Sequence, residues 1–210
     1  MHITYLFDPL CGWCYGASPV LEKIASTDGV DLELVTVGLF AGEGARPIDA
    51  NFSAYAWSND QRISRLTGQT FSEDYRSRVL ADHTRLFDSG PATLALAAVA
   101  ATAPARELEA LKEIQLARYV EGRDTTDPGV LAEVLGRLGL SEAAQRLRAP
   151  DEALVELYRR RIGEGREKMR RFGVAGVPAL LVGDGEDQRL VPASALFSDD
   201  DGLLASLRAA

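Results

Sequence analysis

Metal-ligating side chains are scarce in this chain: 210 residues hold only two cysteines and two histidines. A structural zinc site usually takes four Cys or His ligands, and His2 and His83 have no ligand-like spacing to Cys11 and Cys14. No resident metal is expected. Basic residues are the minority, 23 Lys and Arg against 31 Asp and Glu, giving a net charge of -8. That balance argues against a nucleic-acid partner, which wants a basic face, and against docking on an anionic membrane surface. No segment approaches the roughly 20 apolar residues that span a bilayer. Met1-His2 leads straight into a strand-like run, with no basic n-region and no apolar stretch before a small-residue cleavage site. The chain therefore reads as cytoplasmic. Glycine and proline are not in excess, and repeats and low-complexity stretches are missing, so a fibrous or disordered chain is excluded. Gly42-Glu43-Gly44 is too short and wrongly placed for a nucleotide loop.

What is present is a 46% hydrophobic chain, ample for a core, long enough for one domain with an insertion or two small ones. Its two cysteines form Cys11-Gly12-Trp13-Cys14, behind an apolar stretch and ahead of a helical pattern (Ala17, Val20, Leu21, Ile24). On a helix, positions i and i+3 share a face, so two thiols there can close a small disulfide ring. With Cys11 at the helix start, the positive end of the helix dipole favours its thiolate, and the thiolate is the form that attacks disulfides. In a reducing cytosol a cysteine pair is rarely a structural staple. The stretch reads as a redox-active dithiol; inert cysteines and half of a shared metal site are the alternatives.

Along the chain, residues 2–7 are a short buried strand, broken by Asp8-Pro9-Leu10. A helix is expected from Cys11 to Ser26 and a second strand from Asp31 to Val37, making a βαβ unit with a right-handed crossover. The dithiol then lies at the carboxyl end of the first strand, the functional edge of open α/β sheets. A loop follows over Gly38 to Arg46. Helices are expected over 49–66, 71–82, 91–103, 105–121, 128–138 and 141–148, with Ala92 to Ala101 apolar on nearly every face and so the buried centre of a helical region. Asp127-Pro128 and Pro150-Asp151 are helix starts. A long helix over 151–171 carries Leu154, Tyr158, Ile162, Gly165, Met169 and Phe172 on one stripe. Its mixed acids and arginines read as a solvated face. Strands over Ala179–Val182 and Gln188–Val191 flank a Gly-Asp-Gly turn, and a last helix covers 199–208. The β-α-β beginning and β-β-α end are expected to share one sheet, with the middle inserted.

A CxxC opening the first helix, a helical insertion and a Val-Pro before a late hairpin resemble the thioredoxin superfamily. Asp8-Pro9-Leu10-Cys11-Gly12-Trp13-Cys14-Tyr15-Gly16 and Gly176-Val177-Pro178 look more closely like the DsbA-like thiol oxidoreductases, in the bacterial branch of predicted protein-disulfide isomerases. The resemblance covers the whole chain. It implies an α/β thioredoxin-like domain over 1–40 and 172–210, and a helical insertion over 41–171 that includes the long connecting helix. It also implies residue roles. Cys11 is the exposed nucleophile and Cys14 the more buried resolving thiol. Pro178 is a cis-proline facing the dithiol, and Val177 offers backbone groups to an incoming peptide. Gly12 and Trp13 tune the redox balance. Three features depart from the pattern. Tyr5 stands where thioredoxin-like proteins usually bury an acid, the CxxC dipeptide lacks the histidine of strong oxidases, and a second cysteine pair is missing.

The expected function is thiol-disulfide exchange through a mixed disulfide, on protein or small-molecule disulfides, with oxidase, reductase and isomerase directions all open. No metal or organic cofactor is needed for it; glutathione is a co-substrate candidate. A glutathione-dependent isomerase or transferase of the kappa-class type is an alternative, although that class has serine at the first active-site position. A redox-sensing binding module is another. Nothing in the sequence specifies an oligomeric state. Trp13 is a candidate platform for substrate. Asp8 reads as a capping or turn residue, with proton transfer as the alternative. His83 reads as a surface or interdomain residue, and Tyr15 and Phe40 as either groove or core.

Overall fold

The opening apolar hexapeptide forms β1 (His2–Phe7), and both halves of the sheet are built on it. In the computed structural model, which describes residues 1–197, 202, 203 and 207, β1 pairs in parallel with β2 (Asp31–Thr36) and antiparallel with β5 (Ala179–Val182). β6 (Arg189–Val191) pairs antiparallel with β5, giving the order β2-β1-β5-β6. The two ends of the chain thus share one sheet, as expected. Buried on both faces, β1 reads as a near-continuous apolar run, as strands covered on two sides do. Ile3, Tyr5 and Phe7 enter the main core, while Leu6 packs with Val35, Ala179 and Leu181 beneath Met169 and Phe172. The one polar interruption, Thr4, is satisfied: its hydroxyl donates to Glu33 (2.9 Å) and accepts from the Gln188 amide (2.9 Å).

The expected single helix over 11–26 is two pieces, α1 (Gly12–Gly16) and α2 (Ser18–Ala25), joined at Ala17. The cause is Pro19, which has no N–H to continue the ladder from Tyr15. Downstream, the expected loop at 38–46 contains a short helical turn over Gly42–Gly44 and ends in a strand. That strand, β3 (Arg46–Pro47), pairs with β4 (Leu86–Phe87), a second small sheet with too few residues for any sequence periodicity. α3 (Ala50–Thr67) is capped by the Asp49 carboxylate on the Phe52 N–H (2.7 Å). The region 71–82 is not one regular helix: α4 (Glu73–Tyr75) runs into a wide π-type turn over Arg76–Leu80.

The helical region is centred on α5 (Gly90–Thr102), buried on nearly all sides as its composition implies. Around it pack α6 (Glu107–Tyr119), α7 (Pro128–Arg137), α8 (Ser141–Arg148) and α9 (Glu152–Arg171). Asp127 and Asp151 cap α7 and α9 through side-chain bonds of 2.7 Å to the Gly129 and Leu154 N–H groups.

α9 carries its apolar stripe inward: Leu154, Ile162 and Gly165 are buried and Tyr158 half-buried. It touches both α5 and β2. Its arginines correct the expectation of a wholly solvated charged face. Arg161 donates to Glu107 (2.6 Å) and to the Leu34 carbonyl (3.0 Å), and Arg166 holds the Val37 and Gly38 carbonyls (3.1 and 2.9 Å). Long arginine stems can cover apolar surface while the fork reaches backbone acceptors. The expected last helix falls largely outside the described residues; Gly202, Leu203 and Leu207 are helical, and the two leucines are buried. Among the described residues no helix is long and apolar enough to cross a membrane.

Candidate active site

The dithiol is held from below by one buried carboxylate. Asp8 is fully buried, and its Oδ1 accepts the Leu10 N–H at 2.9 Å. Its Oδ2 accepts the Phe40 N–H (3.1 Å) and the Ser89 hydroxyl (2.7 Å). The Asp8 carbonyl in turn accepts the Cys11 N–H at 3.1 Å. Asp8 is therefore a turn residue, and it also ties the entry to the CxxC to the Phe40 loop and the start of α5. Burial pushes its carboxyl above the ordinary value, against the pull of Ser89 and of the Leu10, Phe40 and Leu39 backbone.

Cys11 is the N-cap of α1, in extended backbone, and its carbonyl accepts the Tyr15 N–H (3.0 Å). It is not the exposed residue expected of the nucleophile. Only 7% of it is accessible, against 1% for Cys14, because the insertion covers this edge of the sheet. Burial pushes the Cys14 thiol well above its ordinary pKa, and the neighbouring Cys11 adds to the shift, so Cys14 remains a thiol at neutral pH. Both cysteines are free. Opposite them, the Val177–Pro178 peptide bond is cis. The Cys11 thiol lies 3.4 Å from the Val177 carbonyl as a donor. Five of the sequence-predicted residues, Cys11, Gly12, Cys14, Val177 and Pro178, thus meet at one sheet edge. Trp13 joins them half-buried, edge-on to Phe197 (5.2 Å) and with the Arg62 guanidinium over its ring (5.5 Å).

Cys11 opens into a cavity of 240 Å³ that Gly12 and Trp13 also line. Its far wall comes from the insertion: Phe52, Asp60 and Ile63 of α3, with Tyr75, Phe87 and Tyr119. Arg46 stands at the rim over the Phe40 ring (5.7 Å). Phe40 therefore belongs to the groove. Tyr15 is core, stacked on Tyr119 at 4.8 Å. His83 lies elsewhere, in a shallow groove with Ser53, Trp57 and Arg76. Gly12 is dictated by close approach: a Cβ there would stand 2.6 Å from Asp60 Oδ1 and 3.2 Å from the Ile63 methyl.

The profile of the DSBA-like thioredoxin domain family matches residues 2–200. The chain belongs to that family. Its fold is the DsbA-like thioredoxin fold with a helical insertion, and it is homologous to disulfide oxidoreductases. The cytosolic disulfide reductase DsbM from Pseudomonas aeruginosa is 35% identical over 100% of both chains, with a TM-score of 0.86. A structure of DsbM with GSH matches at 34% identity, covering 100% of this chain and 98% of that one, TM-score 0.85. A candidate protein disulfide isomerase from Nitrosomonas europaea shares the fold at 23% identity, TM-score 0.81, over 99% of this chain and 96% of that one. Comparison with curated proteins gives no match.

Sequence reading of this DsbA-like chain missed the polar residues of the insertion wall. Asp60 is only 5% exposed, its Oδ2 accepting the Tyr75 hydroxyl at 3.1 Å. The signal was an acid inside an apolar helical stripe: Phe52, Ala56, Asp60 and Ile63 follow at spacings of four, four and three. Behind the wall lies Arg118, 1% exposed, whose guanidinium faces the rings of Tyr75 (5.5 Å), Phe87 (5.2 Å) and Tyr119 (5.9 Å). Its three guanidinium nitrogens make no hydrogen bond among the described residues.

Burial pushes the Asp60 carboxyl up to about 7, against the pull of the Tyr75 hydroxyl and the Arg118 charge. An unfolded chain ionises this group near the ordinary carboxylate value, so between those limits the fold holds a proton that the unfolded chain has lost. Stability from this group falls as pH rises across that window. Asp60→Asn removes the slope. The variant is expected to match wild type near pH 4 and to exceed it at pH 8 by up to roughly 4 kcal/mol, read from denaturant melts at both pH values. Equal pH slopes in the two proteins would contradict the assignment.

Proposed function

We propose that this protein is a cytosolic disulfide reductase that resolves small disulfides through Cys11 and Cys14, with glutathione as a co-substrate. The observation that carries the reading is the Cys11 thiol set between the Val177 carbonyl and an open cavity, with a second, protonated thiol directly behind it. The Cys11 thiolate attacks a substrate sulfur, forming a mixed disulfide and expelling one thiolate. Cys14 then gives up its proton and attacks Cys11, forming the ring disulfide and releasing the second thiol. The two cysteines supply both electrons, and two reduced thiols regenerate the pair.

The reductase direction is supported by the 35% identity to DsbM, itself a cytosolic disulfide reductase. Glutathione is supported by the DsbM structure with GSH and by charge. Arg46 lines the cavity and Arg62 lies over the Trp13 ring, in a chain whose net charge is -8, which suits a carboxylate-bearing thiol. Trp13 and the Val177 backbone offer contacts to a peptide backbone or an apolar arm of substrate. Equilibration in glutathione redox buffers tests the reading. The Cys11–Cys14 pair is expected to oxidise and re-reduce reversibly, with a midpoint more reducing than that of a strong oxidase such as DsbA. A pair that never oxidises overturns the proposal.

A further inference from the structure

Thiol-disulfide exchange expels a sulfur anion, and the departing sulfur needs a proton where water is scarce. Seven aromatic side chains line the cavity beside Cys11, and among the described residues the one carboxyl group lining it is that of Asp60. Asp60 Oδ1 lies over the backbone of Gly12, the residue after the nucleophile, close enough that any side chain at position 12 would strike it. Its other oxygen is held by the Tyr75 hydroxyl, which fixes the carboxyl plane. Among the described residues Oδ1 makes no hydrogen bond, and Asp60 lines the same cavity as Cys11, where a substrate disulfide would sit.

We propose that Asp60 is the general acid for the reductive half-reaction, giving its proton to the leaving sulfur of the substrate as Cys11 attacks. The inference rests on the reductase reading above. In the first step the Cys11–substrate S–S bond forms and the substrate S–S bond breaks. The leaving sulfur takes the bonding pair and the Asp60 proton, giving a free thiol and an Asp60 carboxylate. In the second step Cys14 attacks Cys11, and its proton leaves with the second thiol. Asp60 regains a proton from solvent. Two electrons pass from the cysteines to the substrate, and two thiols leave.

The charges around the carboxyl suit this cycle. Tyr75 from α4 and Arg118 from α6 act on it directly, and Tyr119 from α6 lies within reach of its charge. Burial keeps the acid protonated up to about neutral pH, while the Arg118 cation behind the rings stabilises the carboxylate once the proton has gone. An acid poised near the working pH is the efficient donor. The need for it depends on the leaving thiol: a basic thiolate gains from protonation, an acidic one does not.

That dependence supplies the test. Rates for glutathione disulfide and for an activated nitrophenyl disulfide are measured with reduced protein from pH 5 to pH 9, and their ratio is taken, which cancels the ionisation of Cys11. In wild type the ratio is expected to fall as pH rises through about 7. In Asp60→Asn it is expected to be flat and about 100-fold lower at pH 6. Tyr75→Phe removes a hydrogen bond that favours the carboxylate, so it moves the fall to higher pH; this variant keeps the test open if Asp60→Asn folds poorly. A ratio that Asp60→Asn leaves unchanged, or one independent of pH in wild type, overturns the proposal while leaving the reductase reading intact. Wild type that reduces neither disulfide overturns both.

Discussion

Cys14→Ser, reduced and mixed with glutathione disulfide, is expected to accumulate a one-glutathione adduct on Cys11, whereas Cys11→Ser acquires none and loses about 1000-fold or more of the reduction rate. The asymmetry follows from access. Cys11 opens into the cavity and Cys14 is sealed behind it at 1% exposure. Burial also keeps Cys14 protonated, so it is a poor first attacker, yet it lies beside Cys11 and is well placed for the second, intramolecular step. Serine preserves the size of the side chain, so packing around α1 should survive in both variants. Intact-mass spectrometry after acid quenching reads the adduct, and peptide mapping places it. An adduct on Cys14 in the Cys11→Ser protein would reverse the two roles.

Gly165→Ala is expected to destabilise the fold by about 3 kcal/mol, a fall of roughly 6–12 °C in Tm for a chain of this size. α9 crosses the sheet edge at backbone distance. A Cβ on Gly165 would stand 2.2 Å from the Thr36 carbonyl oxygen and 3.2 Å from the Val37 Cα. Neither neighbour is the end of a flexible side chain, so the helix itself must lift. Lifting it also strains the Arg166 bonds to Val37 and Gly38, next to the loop that carries Phe40. A loss below about 1 kcal/mol would mean that α9 slides without cost.

The parts of the molecule that were legible in the sequence are those whose physics is local. β1 is a near-continuous apolar run, the CxxC and the Val-Pro are short motifs, and the stripe on α9 has a clean helical period. Even Gly165 fell on that stripe, although its reason, the Thr36 carbonyl of β2, lies 129 positions earlier in the chain. Pro19 was visible too, but a proline near a helix start is compatible with one helix or two. What stayed hidden depends on distant partners. The β3–β4 pair has two residues a side and no period to read. Arg118 looks like an ordinary cation on a charged helix until three rings close over it. Arg161 and Arg166 are indistinguishable in sequence from the exposed Arg160 and Arg170 beside them; only the backbone acceptors of β2 and its following loop separate the two kinds.

Because β1 takes β2 on one side and β5 on the other, it lacks one permanent neighbour during synthesis until residue 182 has emerged. Until then Leu6 lacks Ala179 and Leu181, and the Cys11 thiol lacks the carbonyl of Val177, 166 positions later. Long-range pairings of this kind form late. A nascent or truncated chain therefore carries two thiols without the groove that selects what they react with. Synthesis of residues 177–182 converts an unguarded cysteine pair into a selective one, and chains that stop short of them are candidates for indiscriminate mixed disulfides.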